Sequence, residues 1–313
     1  MKFLTLRRSG LLNPDRGNRI YNYKLLAIKI NKKGQFMQSV ADPIFEIDEK
    51  DFEYISEYIK ANYGIRLGQE KKSLLASRLR NIMTELNFEK FSDYIDYIKS
   101  DKTGTAINLF IDKITTNHTF FMREPAHFEY LKRKVLPELE KTVNDKDLRI
   151  WSAGCSSGEE PYTIAMILDE YFGSQSGWDK KILATDIAQK VLNKAMDGVY
   201  LKDQIGFLPP QWRMKYFTKN PGNDSYQVVD KIKNEVIFRR FNLMDKYFPF
   251  KKKFHVIFCR NVMIYFDSKT RNELVEKFYE FTEPGGYLFI GHSESLNRSQ
   301  TKYKYIKPAI YRK

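Results

Sequence analysis

The sequence predicts an α/β fold built on a parallel sheet and preceded by an all-helical unit. Three observations carry this reading. From Leu148 onward, short apolar runs of strand length alternate with segments of helical periodicity, the pattern of strands joined by crossover helices. Between Asp48 and Ile114, apolar residues recur at helical spacing only. The stretch Trp151-Ser152-Ala153-Gly154-Cys155-Ser156-Ser157-Gly158-Glu159-Glu160-Pro161-Tyr162 places a small-residue loop between an apolar strand and a helix. There a backbone can approach a ligand closely, and the start of the helix offers free N–H groups.

The helical unit is read first. Asp48 to Tyr63 forms a helix, capped by Asp48 or Asp51, with Phe52, Ile55, Tyr58 and Ile59 on one face and Asn62-Tyr63-Gly64 as its stop. Lys71 to Leu86 places Leu74, Leu75, Leu79, Ile82, Met83 and Leu86 on an apolar face and Lys71, Lys72, Arg78 and Arg80 on the other. Phe91–Ser100 and Thr105–Ile114 are two further helices, and Glu124 to Glu140 is another, interrupted near Pro137. In the α/β part the strand-like runs are Leu148–Ser152, Lys181–Thr185, Val236–Arg240, Phe254–Phe258 and Tyr287–Ile290. The helical runs between them are Pro161–Tyr171, Gln189–Gly198 and Ser268–Phe281. Asn220-Pro221-Gly222-Asn223-Asp224 is a turn between Met214–Thr218 and Tyr226–Val229, which predicts an antiparallel β-subdomain inserted at about 211–240. The chain therefore divides into an extension 1–40, a helical domain 41–115 and an α/β domain 116–313.

Composition narrows the class. With 313 residues, 42% of them hydrophobic, a sizeable core is available. Net charge is +14, and +8 of it falls in residues 1–36, where nine Lys/Arg face only Asp15. A basic, poorly ordered extension is the expectation there. No run of eighteen apolar residues and no apolar leader occurs, so a cytoplasmic protein without membrane insertion is expected. The two cysteines, Cys155 and Cys259, imply no disulfide framework, and without a histidine cluster they make no metal site.

Four segments carry the chemistry. In the first, Gly154 opens the loop and Glu159-Glu160 close it. Two carboxylates would repel a diphosphate but suit a cation, which points to a positively charged nucleoside such as S-adenosyl-L-methionine. In the second, Asp186 ends the second strand, placed to accept ribose hydroxyls, 32 residues after Gly154. In the third, a buried strand runs into Cys259-Arg260-Asn261 and an aromatic pair, Tyr265 and Phe266, at the edge where open α/β sheets bind ligands. The fourth, Thr115 to Glu124, joins the helical and α/β parts and sets Asn, Thr and Arg among aromatics, in the kind of inter-domain cleft that favours a ligand.

Together these segments resemble the CheR family, the chemotaxis receptor glutamate methyltransferases, from about Phe45 to the C-terminus. The resemblance rests on Thr116-Asn117-x-Thr119-x-Phe121-x-Arg123-Glu124, the 153–162 loop, Ala184-Thr185-Asp186-Ile187, Asn242-Leu243, Phe258-Cys259-Arg260-Asn261-Val262-x-Ile264-Tyr265-Phe266 and Gly291-His292-Ser293-Glu294. It implies a class I S-adenosylmethionine-dependent methyltransferase, a Rossmann-like seven-stranded sheet with an N-terminal helical domain and a small inserted β-subdomain. It also implies cofactor contacts at Asn117, Thr119, Arg123, one or both of Glu159 and Glu160, Asp186, Asn242-Leu243 and Arg260-Asn261. Tyr265 matches a tyrosine near the transferred methyl.

The expected reaction is methyl transfer to a glutamate carboxylate of a methyl-accepting chemotaxis receptor, leaving S-adenosyl-L-homocysteine. A glutamate with a pKa of about 4.3 is ionised at neutral pH, so no general base is required. Arg123 would pair with the methionine carboxylate, Glu159 or Glu160 would accept from its ammonium, and Asp186 would hold the ribose. Arg260 and Tyr265 would position the incoming carboxylate or the methionine part. Lys72, Arg78 and Arg80 would steer the acidic receptor helix, reached through its cytoplasmic domain, and the enzyme is expected to be a monomer. A nucleic-acid methyltransferase is the rival prompted by the basic charge. However, the position after the fourth strand reads Arg260-Asn261-Val262-Met263 without the Pro-Pro of adenine-N6 enzymes, and neither cysteine stands where a cytosine nucleophile would. A non-catalytic binding module is disfavoured by the retained Arg123, Asp186, Arg260 and Tyr265.

Overall fold

A computed structural model describes residues 46–173 and 177–313. The expected basic extension, residues 1–40, lies outside them.

Four helices open the described chain: Glu49–Tyr63, Lys72–Glu85, Phe91–Ser100 and Thr105–Ile114. Asp48 caps the first by accepting from Asp51 N at 2.7 Å, and Gly64, at φ 70°, ends it with its N–H on Lys60 O. Their apolar faces meet in one core of Phe52, Ile55, Ile59, Leu75, Leu79, Tyr94 and Phe110. Leu74 and Leu86, read from the sequence as part of that face, are instead exposed, at 46% and 37%. The next helical stretch runs as Pro125–Tyr130, a π-helical turn Leu131–Val135, and Leu136–Thr142. Pro137 lacks an N–H and crowds the carbonyl four residues back, and the π turn widens the helix where that conflict falls.

Ten strands follow: β1 (Ile150–Ala153), β2 (Ile182–Asp186), β3 (Val199–Leu201), β4 (Phe217–Lys219), β5 (Ser225–Val228), β6 (Val236–Arg240), β7 (Phe254–Cys259), β8 (Thr282–Ile290), β9 (Lys304–Lys307) and β10 (Ile310–Arg312). Seven of them form one sheet in the order β6-β2-β1-β7-β8-β10-β9. The first five run parallel, and β10 and β9 add as an antiparallel C-terminal hairpin. Alternation along the central strands divides the interior in two. Ile150, Val256 and Phe258 face one core with the Glu159–Phe172 helix, while Trp151, Ile257 and Cys259 face the other with the Ser268–Glu280 helix. This is the class I methyltransferase fold, with its helical N-terminal part. Among the described residues no helix is long and apolar enough to cross a membrane.

The remaining strands make a small antiparallel sheet, β3-β5-β4. Its position corrects the expected 211–240 insertion. The small sheet opens at Val199 and closes at Val228, and Val236–Arg240 pairs with β2 in the main sheet. Met214 to Tyr216, read as strand, finish a short helix, Pro210–Tyr216, because Pro210 supplies a preset φ at its first turn.

The helical unit is bolted to the carboxyl edge of the main sheet. Arg66 N donates to Tyr265 O at 2.9 Å, Asn242 Nδ2 to Asn62 O at 2.8 Å, and Lys60 pairs with Asp267 at 2.9 Å.

Trp151 is fully buried and its indole N–H donates to Thr185 Oγ1 at 2.9 Å, joining β1 to β2. Trp151→Ala is therefore expected to cost about 3–5 kcal/mol in urea unfolding. A loss below about 1 kcal/mol would show that the β1–β2 seam does not depend on it.

Candidate active site

The sheet order reverses between β1 and β7, and a cavity of about 240 Å³ opens at the carboxyl ends there. The sheet side is formed by the loops after β1, β2, β6 and β7. The other side is formed by the 114–123 linker and by Tyr63, Ile65, Leu67, Lys71, Leu74 and Arg78 of the helical unit. Asn117, Thr119, Arg123, Gly154, Glu160, Asp186, Asn242, Leu243, Arg260, Asn261 and Tyr265 all line it.

The loop after β1 takes its shape from backbone conformation. Gly154 sits at φ 93°, and a Cβ there would collide with the Val262 side chain. Ser156 sits at φ 49°, which turns its N–H onto Asp186 Oδ2 at 2.8 Å. Asp186 Oδ1 accepts from Ala188 N at 3.0 Å. Burial raises the Asp186 pKa, opposed by these backbone donors. Each oxygen keeps a lone pair for a ligand.

Glu159 and Glu160 are adjacent in sequence but point apart. Glu160 Oε1 accepts from Ser152 Oγ at 2.7 Å, its Oε2 accepts from Arg260 Nη1 at 2.9 Å, and the side chain still borders the cavity. Glu159 is 1% exposed, accepts from Ser157 Oγ at 2.7 Å, and has its pKa raised by burial. It does not reach the cavity. Of the two carboxylates left open by the sequence, Glu160 lines the cavity and Glu159 does not, because consecutive helical residues diverge by about 100°.

Arg260 is the hub of the site. Its side chain is 2% exposed and lies between Glu160 and Glu124, whose Oε2 accepts from Nη2 at 3.1 Å. Nη2 also donates to Arg123 O, and the guanidinium stacks over the Phe128 ring at 5.1 Å. Arg260 thus has two carboxylate partners within the protein while it also lines the cavity. Glu124 was not singled out from the sequence. It accepts from Asn261 Nδ2 at 3.3 Å and His292 N at 3.2 Å. Burial works to raise its pKa, but the Arg260 charge and these hydrogen bonds prevail and lower it. Glu294, from the Gly291–Glu294 motif, was also missed as a functional residue. It accepts from Gly291 N at 2.6 Å, Asn261 N at 3.0 Å and Ile264 N at 3.1 Å, and so fixes the loop after β7. A side chain at Gly291 would place its Cβ 2.8 Å from Asn261 N.

The other expected residues divide between polar and structural tasks. Arg123 donates to His118 O at 2.6 Å and lies 5.9 Å from the Phe120 ring. Among the described residues it has no carboxylate partner. Asn117 donates to Thr115 Oγ1 at 3.2 Å while its carbonyl accepts from Ser156 Oγ at 3.1 Å. The Asn242 amide is occupied by Asn62 O and Met244 N, leaving its backbone and Leu243 as cavity wall. The expected steering face is largely committed to intramolecular contacts. Lys72 pairs with Glu49 at 2.7 Å, and Arg78 donates to Ile114 O at 2.7 Å and Thr116 Oγ1 at 3.2 Å, while Arg80 is half-buried. The helix turns Lys72 and Arg78 toward partners that their sequence neighbours could not reveal.

Cys155 and Cys259 are buried, and burial pushes both thiols well above their usual range, so neither is a thiolate nucleophile. Glu124, His127 and His292 bring ligand atoms within 4.8 Å of one another. Burial, then the Arg260 charge, depresses the His127 pKa to about 3. A metal ion there would compete with Arg260 for Glu124 and face its charge, so the cluster reads as packing around the hub. The cavity thus holds Asp186 and the Arg260-paired Glu160 on the sheet side and Arg123, Lys71 and Arg78 on the linker and helical side.

Comparison with known proteins agrees with this architecture. Residues 117–311 match the family described as CheR methyltransferase, SAM binding domain, and residues 50–115 match CheR methyltransferase, all-alpha domain. A chemotaxis protein methyltransferase of Borreliella burgdorferi is 46% identical over 271 residues, covering 85% of this chain and 95% of the relative. Chemotaxis protein methyltransferase 1 of Pseudomonas aeruginosa is 37% identical, covering 82% of this chain and 94% of the relative. The chemotaxis protein methyltransferase of Escherichia coli is 34% identical, covering 85% and 91%.

Because the folded Glu124 pKa lies below its ordinary 4.5, its contribution to stability is complete above that value and is lost as pH falls through the folded one. Glu124→Gln should cost on the order of 3 kcal/mol at pH 7, since it leaves buried Arg260 under-compensated. The gap to the unsubstituted chain in urea unfolding should narrow as pH is lowered below about 4. A gap independent of pH would remove the charge from the explanation.

Proposed function

The chain belongs to the CheR methyltransferase family and is an S-adenosylmethionine-dependent methyltransferase of chemotaxis, and we propose that its acceptor is a glutamate side-chain carboxylate on the cytoplasmic domain of a methyl-accepting chemotaxis receptor. The observation that carries the proposal is the polarity of the cavity. Its sheet side holds acids with lone pairs to spare, and its linker holds a guanidinium without an acid. That pattern fits S-adenosylmethionine, which brings an ammonium, a ribose diol and a carboxylate. Its sulfonium supplies an electrophilic methyl group.

Each residue then has a task. Arg123 receives the methionine carboxylate. Glu160 accepts from the ammonium, held in place by Ser152 and Arg260. Asp186 accepts the ribose hydroxyls, preset by the N–H groups of Ser156 and Ala188. Asn117, Thr119, Gly154, Asn242, Leu243 and Asn261 wall the pocket around the cofactor. Arg260 acts as a positioning residue, fixing Glu160 and the Arg123 backbone. Tyr265 borders the cavity beside the loop after β7 and orients the reacting carboxylate.

An ionised glutamate needs no base, so acceleration comes from alignment and from a dry pocket in which carboxylate and sulfonium neutralise one another. The remaining steering charge for an acidic receptor surface lies with Lys71 and Arg78, which line the cavity without a carboxylate partner among the described residues. The proposal extends to residues 41–115 and 116–313 as two domains, and to a monomer that acts on protein in the cytoplasm rather than on nucleic acid.

The decisive experiment incubates the protein with radiolabelled S-adenosylmethionine and a receptor cytoplasmic fragment, and scores base-labile methanol. Label on RNA or DNA instead would overturn the reading. Arg123→Ala should weaken cofactor affinity by about 10- to 100-fold in calorimetry. Glu160→Gln should weaken it more than Glu159→Gln does, and the reverse order would reassign the ammonium contact. Tyr265→Phe should lower turnover more than cofactor affinity; unchanged turnover would take the phenol out of the mechanism.

A further inference from the structure

Two apolar contributions stand at the mouth of the cavity and are left uncovered by the fold. The first is Leu74, which lines the cavity and is 46% exposed. The second is an aromatic ladder. His118 and Phe120 line the cavity with ring centroids 5.8 Å apart, and Phe120 lies 5.2 Å from Phe207. Phe207 is 63% exposed and ends the short 3₁₀ turn Gln204–Phe207, which follows β3 of the small sheet. Exposed apolar side chains gathered at a functional cavity, rather than scattered singly, are the pattern of a contact surface. Lys71 and Arg78 line the same cavity, and neither has a carboxylate partner among the described residues. The entrance therefore offers cations next to apolar side chains, which is complementary to a carboxylate with apolar neighbours.

We propose that Leu74, Phe120 and Phe207 form a specificity rim that seats apolar side chains flanking the target glutamate, so that the enzyme selects glutamates bordered by apolar residues. The inference rests on the glutamate-acceptor reading above. Cations at an entrance attract any acidic surface and do not distinguish one glutamate from another. Desolvated contact between flanking side chains and a preformed aromatic ledge supplies that difference. Phe207 is suited to the task because the small sheet presents it without drawing it into the core.

Phe207→Ser in the full-length chain tests the rim, since an exposed position tolerates a polar residue. Methylation of a receptor cytoplasmic fragment would be followed at saturating radiolabelled cofactor, with cofactor affinity measured separately. The expected result is a KM for the fragment raised roughly five- to tenfold, with kcat and cofactor affinity unchanged. Phe207→Leu should recover part of the loss. Replacing the apolar residues that flank the methylated glutamate by Ser should raise KM for the unsubstituted enzyme, and by a smaller factor for Phe207→Ser. An active Phe207→Ser enzyme whose KM equals that of the unsubstituted chain overturns the rim alone. An unsubstituted enzyme that leaves the fragment unlabelled overturns the glutamate reading and the rim with it.

Discussion

The site depends on a buried guanidinium held between two carboxylates. Arg260, at the end of β7, is paired with Glu160 on the helix after β1 and with Glu124 at the end of the linker. Three segments distant in sequence are thereby held at fixed spacing. Burying such a group is costly unless its hydrogen bonds are satisfied, and removing any one partner leaves the others uncompensated. The linker, the loop after β1 and the loop after β7 are tied to one another through Arg260, and Asp186 and Glu294 brace the two loops further.

The backbone shares in this assembly. Four non-glycine residues near the hub, Met122, Glu124, Ser156 and Asn261, adopt positive φ values between 49° and 60°. Each is a conformation that a side chain disfavours, and all four lie in the segments that Arg260 draws together. The strain has a visible purpose at two of them. Ser156 turns its N–H toward Asp186, and Asn261 turns its own toward Glu294. A cavity shaped this way has its walls set by contacts within the chain, which suits a methyl transfer that depends on alignment.

Much of the architecture was legible in the residues. The helices Phe91–Ser100 and Thr105–Ile114 follow directly from periodicity, and β1, β2, β6 and β7 from short apolar runs of strand length. The C-terminal hairpin was not legible. β9 reads Lys304-Tyr305-Ile306-Lys307, and its charged residues suit an exposed sheet edge better than a core, so no strand pattern announces it. Within the site, sequence could name residues but not directions. It could not choose between Glu159 and Glu160, because a helix sends neighbours different ways. It also took Arg78 for a solvent-facing cation when the side chain reaches across to Ile114 and Thr116. Glu124 stood inside a quoted motif without a role, since its partner Arg260 lies 136 positions away.

The helical unit's share of the cavity has a bearing on inheritance. Tyr63, Ile65, Leu67, Lys71, Leu74 and Arg78 belong to the N-terminal helices or the turn between them, yet they face the same space as Asp186 and Arg260. The seam beneath them joins the Asn242 amide to the Asn62 backbone carbonyl, the Arg66 and Tyr265 backbones to each other, and the Lys60 side chain to Asp267. A chimera that joined these helices to a relative's sheet would thus import part of the binding pocket along with them. Its two halves would have to be matched across that seam before the pocket could close. The two parts are coupled through a charge pair as well: a change at Lys60 on the helices is met at Asp267, 2.9 Å away, in the segment after β7.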